Sequence, residues 1–343
     1  MPSPIGWRIG VEVELLAPPG RSRRDLAQRL AERCGGSLRR IFHPQAEHGP
    51  GPERRVFETL TLGFAIEDAA GHPVARCVDD LTLQADLERR AAPRPGWYRI
   101  AVDDARLARL LARHCDAEAP IGDVLAPGLD LFGGRLEEKP GGIHRLADPA
   151  GASVALAAPL PGGRERPCEI ITPPLEDNHA AALSALLEPA QALGFLLPQE
   201  GAVHLHFDAA PFADAARLQA LIRLVAERSA ALRALCGTNP QCRRLGPYDE
   251  EMLEAALDPG FARLPWPEAA ARLLRAGAQK FCDVNIVNLL AGDAQKRTIE
   301  IRLLPPTLDA ARILRWAGFF EEMLRGLLAG SHHGTEQPWP SMA

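Results

Sequence analysis

The sequence predicts an α+β fold, a curved and mainly antiparallel sheet with one polar face and with helices packed on its apolar face. Three observations carry this reading. The stretch Trp7-Arg8-Ile9-Gly10-Val11-Glu12-Val13-Glu14-Leu15-Leu16 alternates aliphatic residues with polar or small ones at period two, the pattern of a half-buried strand. The same alternation returns in Val203-His204-Leu205-His206-Phe207 and in Thr298-Ile299-Glu300-Ile301-Arg302-Leu303. Segments with helical spacing and clear end signals lie between the strands, without the regular strand–helix alternation of a parallel barrel.

The first strand places Gly10, Glu12 and Glu14 on the face opposite the valines, with the two acids roughly 6.6 Å apart along it. That spacing suits carboxylates converging on bound cations, and Gly10 is expected to leave the face open to a bulky group. Ser22 or Asp25 can then cap a helix to about Arg33, with Leu26 and Leu30 on one face and Gly35-Gly36 closing it. Residues 37–60, with His43, His48 and several prolines and glycines, read as strand fragments and loop. Leu62–Glu67, a turn at Asp68–Gly71 and Pro73–Val78 read as a hairpin, followed directly by Asp80-Leu81-Thr82-Leu83.

Residues 84–160 differ in texture and are expected to be an elaboration beside the core. They hold a helix near Asp104–His114 and a hairpin over Ile143–Ala158 with turn chemistry at Asp148-Pro149-Ala150-Gly151. The strong pattern resumes at Cys168-Glu169-Ile170-Ile171. A helix over Asn178–Leu193 ends at Gly194, the histidine strand follows, and a long helix covers about Ala213–Leu235. Lys280 through Asn285 precede a turn near 291–294, the last strand, and a helix over about Leu308–Leu328. We expect one catalytic domain over residues 1–329, with 84–160 inserted, and a disordered tail over 330–343 that includes His332 and His333.

A length of 343 residues allows a sizeable core, and a formal net charge of −5 gives no basic footprint for nucleic acid. The seven cysteines are scattered and show no Cys-x-x-Cys pair, so neither a disulfide framework nor a zinc knuckle is indicated. No stretch approaches the ~20 apolar residues of a membrane span. Met1-Pro2-Ser3-Pro4 lacks the basic and apolar regions of a leader, and a cytoplasmic location is expected.

Three strands thus place functional side chains at i,i+2: Glu12 with Glu14, His204 with His206, and Glu300 with Arg302. Glu169, followed by Ile170 and Ile171, adds a further acid. Taken singly, each pair has a plainer reading, as solvated glutamates, exposed sheet histidines or an intrastrand ion pair worth ~0.2–1 kcal/mol. Together they describe a polar sheet face that cradles a charged ligand. Carboxylates and imidazoles beside an arginine suit Mg²⁺ or Mn²⁺ and phosphate.

In this order the residues resemble the amidoligase family of carboxylate–amine ligases, related to glutamine synthetase and glutamate–cysteine ligase. Gly10-Val11-Glu12-Val13-Glu14 looks like the family's opening Gly-x-Glu-x-Glu, and Asp80-Leu81-Thr82-Leu83 its Asp-x-Ser-hydrophobic segment with Thr for Ser. Glu169-Ile170-Ile171-Thr172-Pro173 is similar to its Glu-hydrophobic-hydrophobic-Ser-Pro segment, and His204-Leu205-His206 to its His-x-His. Lys280–Asn285 and Thr298–Arg302 resemble its Lys-aromatic-x-x-hydrophobic-Asn and Thr-hydrophobic-Glu-hydrophobic-Arg segments.

The resemblance implies a glutamine synthetase/glutamate–cysteine ligase-like catalytic fold and ATP-dependent amide formation through an acyl phosphate. It implies that Glu12, Glu14, Glu169 and Glu300 hold Mg²⁺ or Mn²⁺, with His204 as a further ligand or phosphate contact. Arg302 and Lys280 would stabilise the transferred phosphoryl group, and His206 and Asn285 would orient nucleotide or substrate. The partners implied are small-molecule or peptide carboxylates and amines, with neither nucleic acid nor membrane, and a homo-oligomer is left open. Two rival classes stay open at this point: a metal-dependent hydrolase built on the His-x-His pair, and an inactive ligase-fold binding protein.

Overall fold

The computed structural model describes residues 5–47, 57–88, 90–242, 244–292 and 296–330. His48, the tail beyond 330 with His332 and His333, and residues 293–294 of the expected turn lie outside the described residues. The strands are β1 (Ile9–Leu16), β2 (Ser37–Glu47), β3 (Phe57–Glu67), β4 (Pro73–Val78), β5 (Tyr98–Val102), β6 (Arg135–Lys139), β7 (Ile143–Ala147), β8 (Ser153–Pro159), β9 (Pro167–Ile171), β10 (Val203–Asp208), β11 (Val284–Asn285) and β12 (Thr298–Leu304). The helices are α1 (Arg23–Arg33), α2 (Ala105–His114), α3 (Pro127–Phe132), α4 (His179–Ala192), α5 (Ala215–Cys236), α6 (Glu250–Leu257), α7 (Trp266–Arg275), α8 (Val287–Leu290) and α9 (Ala310–Leu328). The architecture is α+β, its sheet pairings are antiparallel among the described residues, and the sheet does not close.

The chain forms two compact units. The first comprises the described residues through Val13, Thr172–Glu188, and those from Gln199 onward; the second comprises Glu14–Ile171 and Pro189–Pro198.

In the first unit the strand order is β11-β12-β10-β1. Ile9, Val11 and Val13 share the buried face with Leu205, Phe207, Ile299, Ile301 and Leu303, all essentially inaccessible. Helix α5 packs on β12 and on α9, burying Leu218, Leu221, Ile222 and Val225 beside Ile313, Trp316, Phe320 and Leu324. Each such side chain contributes about 1.5–3 kcal/mol relative to exposure. The ends of both helices are set by the local sequence. Asp214 Oδ1 accepts from Arg217 N at 2.9 Å and starts α5, and Gly237, at φ +67°, stops it in the left-handed region. Asp309 Oδ1 accepts from Ala311 N at 2.8 Å and starts α9. The entry to β1 is held by Trp7 Nε1, which donates to Asp208 O at 3.1 Å, and by the Glu321 carboxylate, which accepts from Gly6 N.

In the second unit the order is β9-β4-β3-β5-β8-β7-β6, with β2 on the other side of β3. The region 37–60 departs from expectation here. A single strand, β2, pairs with β3 from Ser37↔Glu67 to Glu47↔Phe57. Arg39, Arg40 and Pro44 hide the alternation, and they are at home because an edge strand tolerates both charge and a missing N–H. The hairpins β3–β4 and β7–β8 form as expected, with Asp68 and Asp148 each accepting backbone N–H groups in their turns. Helix α1 starts where expected: the Asp25 carboxylate accepts from both Ser22 N and Ser22 Oγ, at 2.8 and 2.7 Å. Gly36 then passes so close to β3 that a Cβ there would lie 1.8 Å from Glu67 O.

The core of this unit also holds charge. Asp79 is fully buried between Arg164, which pairs with it, and Arg23, whose NH2 lies 3.8 Å from Asp79 Oδ2. Arg23 also donates to Leu62 O and Arg164 O, at 2.8 and 2.7 Å, and stacks 4.6 Å from the Trp97 ring centroid. Arg164 donates to Asp80 O and Leu83 O and so pins the turn after β4. Within that turn Asp80 accepts from Thr82 N and Thr82 Oγ1, at 2.8 and 2.7 Å, which makes Asp80-Leu81-Thr82 a side-chain-stapled turn. No disulfide links the cysteines, and no described helix is long and apolar enough to cross a membrane.

Candidate active site

The polar face of the four-stranded sheet in the first unit gathers the candidate groups. Register sets the arrangement: Gly10 faces His206, Glu12 faces His204, His206 faces Glu300, and Glu300 faces Asn285. A shift in the β10–β12 register falls between Val203 and Leu205, beside His204. His204 Nδ1 then lies 3.0 Å from Glu12 Oε2 and 3.6 Å from Glu300 Oε1. His206 Nε2 lies 3.1 Å from Glu12 Oε1, an ion-pair distance without hydrogen-bond alignment.

Glu300 is held from two further sides. Arg302 NH1 donates to its Oε1, and Asn285 Nδ2 donates to its Oε2 at 2.5 Å. The amide of Asn285 has a fixed orientation, because its Oδ1 accepts from Val287 N at 2.9 Å at the start of α8. Asn285 therefore presents only a donor to Glu300, which suits an ionised carboxylate.

Charge and burial oppose each other here. Burial alone would raise the Glu12 carboxyl, but the charge of His206 and the hydrogen bond with His204 outweigh it and hold Glu12 well below the usual carboxylate range. Glu300 behaves alike: burial raises it, and Arg302, His206 and His204 bring it below its ordinary value. For His206 burial works downward, but Glu12 and Glu300 together push the imidazole up to about 9.

Glu12, His204 and Glu300 each offer a ligand atom, and these atoms lie within 4.8 Å of one another. The His204 Nδ1 distances of 3.0 and 3.6 Å match the ~3 Å edges between ligands of a small cation held at ~2.1 Å. Two carboxylates and an imidazole are a donor set of the kind that suits a divalent cation.

The other expected residues fall as follows. Glu14 and Glu169 belong to the second unit, Glu14 buried and Glu169 half-buried, with a carboxylate oxygen of each within 4.8 Å of the other. Lys280 is exposed in the first unit, and its ammonium lies 5.3 Å from the Phe281 ring centroid rather than on Glu300 or Glu12. Gly10 does not leave open space: a Cβ there would sit 3.4 Å from His206 Cβ, so the histidine itself covers it. Two residues escaped the role assignment. Thr298 Oγ1 lies 3.3 Å from His206 Nδ1, and Asn288 Nδ2 donates to Thr298 Oγ1 at 3.2 Å. Thr298 was visible as a strand residue, but nothing in the sequence marks Asn288.

These features define an α+β protein with a buried acid–imidazole–guanidinium cluster on an open antiparallel sheet. The family model described as a putative amidoligase enzyme matches residues 6–324. The chain belongs to that amidoligase family, whose name denotes enzymes that form amide bonds. No curated protein and no solved structure gives a match.

Proposed function

We propose that the protein is an ATP-dependent carboxylate–amine ligase, with Mg²⁺ or Mn²⁺ held by Glu12, His204 and Glu300 and a second cation held by Glu14 and Glu169. The observation that carries this is the cluster of Glu12, His204, His206, Glu300 and Arg302 on one sheet face, within a family match over nearly the whole chain. The fold would then be the one shared with glutamine synthetase and glutamate–cysteine ligase.

In this reading a substrate carboxylate oxygen attacks the γ-phosphorus of ATP, the bond from that phosphorus to the β–γ bridging oxygen breaks, and ADP leaves. The amine then attacks the acyl carbon of the acyl phosphate, a proton is lost, and inorganic phosphate leaves. Such a transfer needs charge neutralisation and positioning more than covalent help. A bound divalent cation supplies that neutralisation on phosphate oxygens. Arg302, held against Glu300, places a guanidinium beside the cluster to meet charge developing on the phosphoryl oxygens. His206 and Asn285 orient the nucleotide or substrate, and Lys280 would meet the charge on the transferred phosphoryl group.

The reading is tested with pools of carboxylates and amines, scored by ADP release and by oxygen labelling. Release of ADP that requires both substrates, with ¹⁸O passing from the labelled carboxylate into phosphate, is the expected result. Amine release from amides without ATP, in a zinc-loaded protein, would instead establish the hydrolase reading.

A further inference from the structure

Asp283 is the joint of a small frame in the first unit. Its carboxylate is inaccessible and held by α5: Arg233 Nε and NH2 donate to Oδ2 and Oδ1 at 2.8 and 2.6 Å, and Ser229 Oγ donates to Oδ2 at 3.0 Å. Its backbone ties two further segments. Asp283 O accepts from Arg302 N on β12, and Asp283 N donates to Gly246 O, each at 2.9 Å. The loop over 244–247 and the run Lys280-Phe281 that leads into β11 are thus fastened to the residue that also fastens Arg302. From Phe281 to Asp283 the chain spans at most ~7 Å, so the ring adjoins Arg302 rather than a remote face.

Two cations stand on this frame. The Arg244 guanidinium lies 5.0 Å and the Lys280 ammonium 5.3 Å from the centroid of the half-buried Phe281 ring. Both lie against one ring, so they are at most about 10 Å apart, a Debye length at 0.1 M salt. The ring attracts each of them only weakly at exposed positions. Among the described residues neither head meets a carboxylate, whereas the neighbouring Arg233 and Arg302 both do. Asp249, the first acid after Arg244 in the chain, accepts from Gln279 Nε2 at 2.7 Å instead.

Two like charges mounted in this way leave a local positive potential that suits an anion. One guanidinium matches a single carboxylate or phosphate bidentately. Two cations spread along a ring suit a longer anion with several charges. We infer that Arg244 and Lys280 form a polyphosphate site across Phe281, in which Arg244 binds the phosphate chain of a nucleotide. This rests on the ligase reading and deepens it, since Arg244 belongs to none of the motifs that carry that reading.

The probe is inorganic tripolyphosphate, which carries the charge of such a chain without base or ribose. Its binding to the full-length protein is measured by calorimetry at about 10 mM salt, where screening is weak, with and without Mg²⁺, and ATP is run beside it. Arg244→Gln and Lys280→Gln are each expected to weaken tripolyphosphate about tenfold, the loss of one charge-assisted contact. Arg244→Lys is expected to recover part of the affinity, and each variant keeps the wild-type melting temperature without ligand. Arg29→Gln, which removes an exposed charge on α1, is expected to change nothing. A wild type that binds no tripolyphosphate in either buffer, full affinity in Arg244→Gln, or an equal loss in Arg29→Gln overturns the inference. If Arg244→Gln keeps wild-type affinity for tripolyphosphate and ATP while the wild type releases ADP with its two substrates, the ligase reading stands without this site. If tripolyphosphate needs Arg244 and Lys280 but no carboxylate and amine elicit ADP release, the site stands and the ligase reading fails.

Discussion

His206 Nε2 sits 3.1 Å from Glu12 Oε1, diagonally across β10 and β1, and the two groups perturb each other in opposite directions. The imidazole is pushed up to about 9 and the carboxyl is held well below its usual range.

One consequence concerns stability of the metal-free protein. A base raised from its unfolded value of ~6.5 stabilises the fold fully below ~6.5 and loses that contribution as pH rises through the folded value. For His206 the loss runs up to about pH 9, and it amounts to something on the order of 3 kcal/mol, shared with Glu12 rather than added to it. Urea denaturation in chelator should show stability falling between pH 7 and pH 10, and His206→Gln should flatten that slope. An equal slope in the variant would remove His206 as its source.

The same proton competes with a cation for the Glu12 carboxylate. Apparent Mn²⁺ affinity should therefore rise from pH 7 to pH 9, by as much as roughly tenfold per unit while one proton is displaced. Calorimetry in buffers of different ionisation heat reads both the affinity and the proton released. An affinity independent of pH would separate the cation from this pair.

Removing Arg302 strands Glu300, which is buried and shares its Oε1 with that guanidinium. Arg302→Ala should cost about 3 kcal/mol or somewhat less, since Asn285 still holds Oε2. Adding Glu300→Gln should recover part of the loss in a double-mutant cycle. Additivity of the two changes would show that the pair is not energetically coupled.

In the second unit, Asp79→Ala leaves the Arg23 and Arg164 guanidiniums buried together without their carboxylate. A loss of about 3–5 kcal/mol is expected by denaturation, with release of the Asp80–Leu83 turn that Arg164 pins. A loss under about 1 kcal/mol would mean that the network contributes little.

The parts of the fold legible in the sequence were those whose pattern is local. The strands β1, β10 and β12 alternate at period two, Ser22 marks the start of α1, and the ends of α5 and α9 fall within two residues of those expected. The strand β2 was hidden because an edge strand exposes both faces in part, so Arg39, Arg40 and Pro44 break no rule there. Short β5 depends on distant partners in β3 and β8, and β6, in a local hairpin with β7, carries too few residues for a period. In the site, Glu12, His204, His206, Glu300 and Arg302 were readable as i,i+2 pairs; the register places Glu12, His204, His206 and Glu300 on one face, with Arg302 against Glu300. Asn288 was not readable, since its role comes from where α8 lands against β12. The covering of Gly10 by His206 was also invisible, because cross-strand pairing is decided by register and not by either segment alone.

The most direct measurement is thermal stability with ATP alone, Mg²⁺ or Mn²⁺ alone, and both, on wild type and Glu12→Gln, each against its own ligand-free form. At ~100 times its dissociation constant a ligand adds about 2.7 kcal/mol, a shift of a few degrees for a chain of this size. The account predicts that ATP and cation together stabilise the wild type beyond either alone, and that Glu12→Gln loses the joint effect. An ATP effect independent of the cation, or one retained in full by folded Glu12→Gln, would contradict it.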